Sequence, residues 1–225
     1  MPSSQIERKL CKNCNYELVG LYCSECGQKN IESFTFSKLV KDFFDNIFSL
    51  DSRLFQTLKF LIIRPGFLTN EYWSGKRITY FPPFRLYLFT SIIHFGVDRY
   101  MGHGLEDANY MFLILMPFIA FILLILYRKD NLLYFHHFIT TLHFNSAFHL
   151  ILIINHIIEL FINDIIQMRY NPIIDDMGLL IFLIYLFIMM KNIYDESLII
   201  TVLKFVVFIC AYAILIAGVI FTTQV

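Results

Sequence analysis

Residues 110–127 read YMFLILMPFIAFILLILY, and the basic residues Arg128 and Lys129 follow at once. The run between the two tyrosines carries no charged side chain. A transmembrane helix needs about 20 mainly apolar residues, and tyrosine favours the headgroup level at its ends. Pro117 lies inside the run, which membrane helices tolerate. This stretch therefore predicts a membrane-spanning helix.

The composition of the whole chain agrees with a membrane protein. Of its 225 residues, 57% are hydrophobic and only 16% are charged, whereas a soluble domain has about 45–50% and about 25%. The net charge is zero, but 12 of the 18 Lys and Arg residues precede residue 86. The first thirty residues are polar, so no signal peptide is expected. The first third is predicted to be aqueous or interfacial.

Apolar runs predict an all-α integral membrane bundle of about five spans. The predicted spans are residues 84–101, 110–127, 144–162, 177–194 and 198–221. The first is the weakest, because Asp98 and Arg99 follow only about a dozen strongly apolar residues.

Lys and Arg are retained on the cytoplasmic side of a membrane protein. With five spans and a cytosolic amino end, 15 of these residues lie inside and two lie outside. Lys204 falls within a span. We therefore expect the bacterial inner membrane, with the amino end in the cytosol and the carboxyl end outside.

The chain divides into residues 1–30 with the cysteines, amphipathic helices in 31–83, and the transmembrane domain in 84–225. Apolar residues recur at helical spacing from Phe36 to Phe48. A second helix is predicted from Ser52 to Ile63, after Asp51 as its N-cap. Its apolar side is predicted to carry Leu54, Phe55, Leu58, Leu61 and Ile62. These helices could lie in the interface plane, or pack on each other or on the bundle.

The segment 11–26 reads CKNCNYELVGLYCSEC, two CxxC pairs with eight residues between them. Cys11, Cys14, Cys23 and Cys26 supply four thiolates, the set that a tetrahedral structural zinc prefers. Two disulfides are disfavoured in the cytosol, and a redox CxxC would accompany a βαβ pattern that the sequence lacks. A segment this short cannot bury a core of its own, so a metal would supply the missing stability. The sequence therefore predicts a zinc ribbon.

The ribbon and the block RPGFLTNEYWSGKRITYFPPFRLYLF, residues 64–89, resemble an uncharacterised family of bacterial membrane proteins. That family carries an amino-terminal zinc ribbon and several spans, and is catalogued as a domain of unknown function. The resemblance covers about residues 10–95 and rests on an RPG…Y..GKR..Y..P pattern. It implies a topology and gives no activity.

The same block has a physical reading of its own. Pro65 can start a short helix that runs through Tyr72 and Trp73 and ends at Gly75. Its aromatic residues favour the headgroup level. Cations beside them could meet lipid phosphates, and the candidates are Lys76, Arg77 and Arg85. The simpler alternative is a membrane anchor that follows the positive-inside rule.

The third predicted span carries a polar stripe. Its members fall within an arc of about 80° on a helix, and they are Asn145, His149, His156, Glu159 and Asn163. Polar residues in a span normally face the bundle interior and suggest function. His94 and Asp98 on the first span could complete a site, with Lys204 as a counter-charge for Glu159. Alternatively, hydrogen bonds from the stripe could simply hold helices together.

Three functions are compatible with these features. The leading hypothesis is a membrane-anchored scaffold or assembly factor whose ribbon binds a protein partner or a second copy. A small transporter or channel could use the polar stripe, and a membrane enzyme acting on lipid-linked substrates could use His149, His156 and Glu159. The chain lacks the phosphate-loop, HExxH, GxSxG and dinucleotide motifs, so an enzyme is the less favoured class. Nucleic acid is not an expected partner, because Glu17 and Glu25 offset the ribbon's few basic residues.

Overall fold

The computed structural model describes residues 9–30, 53–101, 108–128, 132–166 and 172–223. Over these ranges the chain forms helices and no extended strand, apart from two isolated β-bridges in the cysteine segment. The described helices are α1 (Arg53–Ile63), α2 (Phe67–Trp73), α3 (Pro83–Tyr100), α4 (Ala108–Leu126), α5 (Tyr134–Ile166), α6 (Pro172–Tyr194) and α7 (Leu198–Thr223). The predicted amphipathic helix at 36–48 lies outside the described residues.

Three of these helices are long and apolar enough to cross a membrane, which indicates membrane insertion. The qualifying stretches are Tyr134–Ile162, Asp176–Tyr194 and Leu198–Gly218. The prediction of five spans is therefore not supported. Helix α3 falls short because its 18 residues include Arg85, Asp98 and Arg99, and α4 contributes a shorter apolar helix, Ile114–Leu126.

Helices α3 to α7 form an up-and-down bundle around α5. Helix α3 packs on α5, α4 packs on α5 and α7, and α6 packs on α5 and α7. At one end of the bundle, the ring of Tyr127 after α4 stacks on Tyr194 of α6 at 3.6 Å. The Tyr194 hydroxyl lies 2.8 Å from Nδ1 of His137, near the start of α5. This end of the bundle is called the ribbon end below.

Helix α5 is longer than the predicted span 144–162 because it begins ten residues earlier, at Tyr134. Its 33 residues measure about 50 Å at 1.5 Å per residue, against about 30 Å for a bilayer's hydrocarbon core. The additional first turns therefore extend α5 beyond the predicted span at the ribbon end.

Helices α1 and α2 form an elbow at the same end. Helix α1 follows the predicted range 52–63, but its buried face consists of Leu54, Thr57 and Leu61. Phe55 is 79% exposed and Ile62 is also exposed, so only part of the predicted apolar side is buried within the protein. Helix α2 begins at Phe67 rather than at Pro65, because the Phe67 amide donates to Arg64 O and closes a turn.

Candidate functional site

The four cysteines of the amino-terminal segment form one cluster. Their sulfur atoms all lie within 4.8 Å of one another. Sγ of Cys11 is 3.6 Å from Sγ of Cys26, and Sγ of Cys14 is 3.5 Å from Sγ of Cys23. A disulfide would need about 2.05 Å, so the cysteines are free thiols. Their set of four sulfur ligands, with no fifth group, suits a closed structural metal site.

Two equivalent loops build this cluster. Antiparallel bridges Leu10–Glu17 and Tyr22–Lys29 close them, twelve residues apart. In each loop, the residue after the second cysteine is left-handed: Asn15 has φ 61° and Gly27 has φ 72°. Their amides donate to the carbonyl oxygens of Cys11 and Cys23 respectively. The two loops are therefore related by a local twelve-residue structural repeat.

The thiols of the cluster differ in pKa. The backbone hydrogen bond from Cys26 is the largest influence on Cys23 and lowers its pKa from 9.0 to about 7. The largest influence on Cys14 is the backbone hydrogen bond from Tyr16, which lowers its pKa. Desolvation and hydrogen bonds with the other three cysteines outweigh it and raise the pKa of Cys14 to about 12. Several thiolates in one place need a cation to balance them.

The cluster fits a tetrahedral metal. With metal–sulfur bonds of about 2.3 Å, the sulfur–sulfur edges of a tetrahedron are about 3.8 Å. The Cys14–Cys23 and Cys11–Cys26 edges of 3.5 and 3.6 Å are close to this value. Such a metal would hold the two loops together and leave no open position for a reacting water.

The cysteine segment, called the ribbon below, docks on the loop after α2. The side-chain amide of Gln28 donates to Gly75 O at 2.9 Å, and its Oε1 accepts the Arg77 amide at 3.1 Å. Thr79 Oγ1 donates to Asn13 Oδ1 at 2.8 Å. Gln28 is 8% exposed. The ribbon is therefore joined to the elbow by buried and specific polar contacts.

The elbow in turn is fixed to the bundle. Trp73 Nε1 donates to His136 O at 3.1 Å, and Thr69 Oγ1 lies 2.9 Å from His143 Nδ1. Asn192 Nδ2 donates to Pro65 O at 2.9 Å. These contacts join α2 and its preceding turn to α5 and α6. The ribbon, the elbow and the ribbon end of the bundle are thus one connected structure.

Two of the three cations predicted to meet lipid phosphates, Lys76 and Arg85, are engaged within the protein. Lys76 Nζ contacts both carboxylate oxygens of Glu71, at 2.9 and 2.7 Å, and this hydrogen bonding raises the pKa of Lys76. At Arg77 the backbone N–H, not the guanidinium, donates to Gln28 Oε1. Arg85 is only 7% exposed and lies over the Phe81 ring at 4.7 Å. Arg85 therefore differs from the expectation, because burial keeps it from the bilayer surface.

Histidines from α3 and α5 meet inside the bundle. Nδ1 of His94 lies 3.2 Å from Nδ1 of His149, so one ring donates and the other accepts. The rings of His94 and His156 stack at 5.7 Å. His156 lies 3.7 Å from Asp98 and 3.8 Å from Glu159. These five residues, the histidine cluster below, were all singled out by the sequence.

Other members of the predicted stripe lie elsewhere. Asn145 is buried, but its Nδ2 donates to Thr141 O of its own helix at 2.8 Å. The side chain of Asn163 lies outside the described residues. Lys204 is not the counter-charge of Glu159, because its Nζ pairs with Glu196 at 2.7 Å and lies over the Tyr127 ring. Tyr127 marks the ribbon end, so Lys204 lies near the opposite end of α5 from Glu159.

The side chains of the histidine cluster lie in a row rather than around a common centre. Over the residues that the structure describes, only the four cysteines bring three or more ligand atoms within 4.8 Å of one another. The histidines instead follow one another from His149 to His94 to His156, which ends beside two carboxylates. Imidazoles and carboxylates can both give up and accept protons, so this row places groups that can exchange protons beside one another.

Sequence reasoning missed the residues that join the parts. His137 and His143 lie outside the predicted stripe, yet both are buried, and they hold α5 to α6 and to α2 respectively. Gln28 had no distinguishing signal at all. Nothing in a single sequence marks a side chain whose partners lie 47 and 49 residues away.

Comparison with known proteins identifies one related segment. Residues 51–95 match the model of a family described as "Protein of unknown function (DUF3667)". No curated protein and no solved structure matches. The matched segment runs from the start of α1 into α3 and includes the loop on which the ribbon docks. It does not include the cysteines, so the predicted resemblance over residues 10–95 is supported only in its second part.

Proposed function

We propose that this membrane protein is a scaffold or assembly factor whose zinc-bound ribbon, on the cytosolic side of a bacterial inner membrane, binds a protein partner. The observation that carries the proposal is the exposed apolar surface of the ribbon. Val19 and Leu21, between the two metal-binding loops, are 92% and 72% exposed. Leu10, Tyr16 and Tyr22 are exposed as well.

Such a surface favours protein binding. A segment of about twenty residues that exposes five large apolar side chains has a higher density of exposed apolar surface than single scattered surface residues give. Tyrosine is enriched where proteins meet, since its ring buries area and its hydroxyl keeps a polar contact. The opposite side of the ribbon holds Gln28 and Asn13 against the elbow. A fixed docking orientation lowers the entropy lost when a partner binds.

The proposal also assigns zinc as the metal. Four thiolates from CxxC pairs are the usual ligand set of structural zinc. Zinc carries no redox chemistry of its own, and its function here would be to hold the two loops in shape. The positive charge of the first 85 residues supports the cytosolic placement of the ribbon.

Site-specific photocrosslinking in membranes of the native host tests the scaffold proposal. A photoreactive residue at Val19 should give a discrete adduct, either with another protein or with a second copy. The same residue at Glu25, which is exposed but not apolar, serves as the matched control and should give none. The adduct from position 19 should disappear with Cys23→Ser and persist with His156→Ala. Equal yields from positions 19 and 25 would argue against a defined binding surface.

The histidine cluster supports a second candidate, proton-coupled transport. His149 is fully buried and contacts His94, and the row of histidines ends at Asp98 and Glu159. Ionisable residues within a membrane are costly and commonly serve proton relays. The enzyme alternative, which needs a headgroup-sized pocket beside His149, His156 and Glu159, has no such specific support.

A proton-flux assay distinguishes this candidate from the scaffold. The purified protein is placed in vesicles across which a pH gradient is imposed. The wild type should speed the decay of the gradient, and His156→Ala should remove that effect. His136→Ala, a histidine outside the cluster, is the control and should leave the flux unchanged. A wild-type rate equal to that of protein-free vesicles would reject proton transfer and leave the cluster as a helix-packing contact.

A further inference from the structure

A groove of about 840 Å³ lies between the elbow and α6. One wall is formed by Ile62 and Ile63 at the end of α1, and the other by Ile181, Ile184 and Ile188 of α6. All five isoleucines are exposed. The volume falls in the range of about 300–1,000 Å³ that is typical of sites for small organic ligands.

The length of the groove matches one leaflet of a bilayer. It extends along α6 from Asn192 to Ile181, eleven residues, or about 16 Å at 1.5 Å per residue. Half of a hydrocarbon core of about 30 Å is about 15 Å. Because α6 is one of the candidate spans, the groove runs from the ribbon end to about the middle of the membrane.

Arg64 stands at the ribbon end of this groove. The described contacts of its guanidinium are with the rings of Phe60 and Phe67, whose centroids lie 5.3 and 5.5 Å from Cζ. Arg64 is exposed. Contact with two rings restrains the guanidinium beside the groove, and an exposed arginine can bind a phosphate with its planar set of N–H donors.

The groove is a built feature of the elbow and not a chance gap. Asn192 Nδ2 donates to Pro65 O at 2.9 Å, and Asn70 Nδ2 donates to Asn192 O at 3.1 Å. At its floor, Tyr185 donates its hydroxyl to Leu61 O at 2.6 Å. These bonds hold α1, α2 and the turn between them against α6, so the two walls of the groove are fixed relative to each other.

From this geometry we infer that the groove binds one anionic phospholipid of the leaflet on the ribbon side. An acyl chain lies along the isoleucines, and the lipid phosphate meets Arg64. The apolar walls and leaflet-matched length specify a lipid chain, and the fixed cation at the mouth specifies a negative headgroup. The inference depends on membrane insertion and is independent of what the ribbon binds.

Photoreactive lipids test this site directly. The protein is placed in nanodiscs containing phosphatidylglycerol with a photoreactive acyl chain, or phosphatidylcholine with the same chain. After irradiation, mass spectrometry measures the lipid adduct on the peptide that contains residues 181–188. We expect more adduct with phosphatidylglycerol, and a fall of about fivefold in that adduct with Arg64→Gln. Arg99→Gln, an exposed arginine outside the groove, should leave the adduct unchanged.

A second pair of variants tests the apolar wall without altering charge. Ile184→Trp fills the groove and should reduce the adducts of both lipids several-fold. Leu180→Trp, on the same helix and equally exposed but outside the groove, should reduce neither. Equal adducts from the two lipids in the wild type, an Arg64→Gln variant that keeps its phosphatidylglycerol adduct, or an ineffective Ile184→Trp would each overturn the inference.

Discussion

Gln28 is the residue that connects the metal site to the membrane domain. Its amide group both donates and accepts, which allows it to pair with Gly75 O and the Arg77 N–H together. Gly75 has φ +99°, and a Cβ built on it would lie 2.9 Å from Lys12 Cδ, so a side chain there would crowd the ribbon. This contact joins one side chain to the backbones of Gly75 and Arg77, and Thr79–Asn13 is a further hydrogen bond between the ribbon and the same loop.

The first prediction concerns this contact. Gln28→Ala should leave the Gly75 carbonyl and the Arg77 amide without their partner, which costs about 1–3 kcal/mol. We expect the ribbon to detach while it keeps its metal. Hydrogen exchange should show faster exchange of the Arg77 amide, with unchanged metal content. Ser24→Ala, on the exposed side of the ribbon, is the control. An unchanged Arg77 amide would mean that the ribbon docks by other contacts.

The second prediction concerns pH. Metal binding needs the cysteines as thiolates, so protons compete with the metal for them. Because thiolates are lost as pH falls, the bound metal should be released on acidification and retained on raising pH. A chromogenic chelator followed from pH 8 to pH 5 measures this release. His149→Ala should release its metal over the same pH range, since His149 is not a ligand in this account. A metal retained equally at both ends of the range would contradict thiolate ligation.

Among the helices, the α5–α6 pair shows why close packing matters. A Cβ built on Gly178 of α6 would lie 2.4 Å from Nδ2 and 2.9 Å from Cγ of Asn155 on α5. Asn155 is itself buried. Small residues at such positions allow membrane helices to approach closely. The absence of a side chain at Gly178 is therefore what lets Asn155 lie between the two helices.

The third prediction follows from this approach. Gly178→Ala should destabilise the bundle by about 1–3 kcal/mol, because the new methyl group must displace a buried side chain. Gly218→Ala, at a position with nothing within 4 Å, should be neutral or slightly stabilising, since alanine is the better helix former. Unfolding in detergent measures both variants. Adding Asn155→Ala to Gly178→Ala should recover part of the loss, and a loss that is not recovered would point to another clash.

Helix positions were largely predictable from the sequence, because long apolar runs mark them without tertiary information. Helix α6 contains the predicted span 177–194, and α7 contains the predicted span 198–221. The start of α5 was not predictable in this way. Its first ten residues include His137 and His143, which are polar by type and buried because α6 and α2 pack on them.

The same distinction applies to the candidate sites. The cysteine cluster follows from local spacing, so the sequence alone predicted all four members. The stripe on α5 followed from helical periodicity, and its pairing with His94 and Asp98 agrees with the structure. The predicted pairing of Lys204 with Glu159 was wrong, because Lys204 forms an ion pair with Glu196, eight residues before it. Periodicity assigns residues to a face, but it does not decide which distant residues meet.

At the scale of the whole molecule, the helices alternate in direction from α3 to α7. The contacts Tyr127–Tyr194 and His137–Tyr194 bring the ends of α4 and α6 and the start of α5 to the ribbon end. The positive residues Arg128, Lys129 and Lys191 lie beside these ends in sequence. The positive-inside rule would place this end of the bundle in the cytosol, and the five predicted spans differ from the three candidate spans at α3 and α4.

The fourth prediction addresses that difference. Alkaline phosphatase is active only outside the cytosol, so fusions report the side on which each loop lies. With the three candidate spans and the predicted cytosolic amino end, we expect activity after residue 171 and none after residues 104, 130 and 196. The fusion after residue 104 distinguishes the alternatives, because it is active only if α3 crosses. Activity there, with the other three results as expected, would contradict the three-span count and make α3 and α4 spans as well.

We expect a zinc-bound ribbon to form a rigid head on this membrane protein. The metal content of the detergent-purified chain tests this most directly. Elemental analysis should find about one zinc per chain in the wild type and in His149→Ala/His156→Ala. It should find essentially none in Cys11→Ser/Cys14→Ser. A wild type without zinc would contradict the claim. A second metal that disappears with the two histidines would move the function from the ribbon to the histidine cluster.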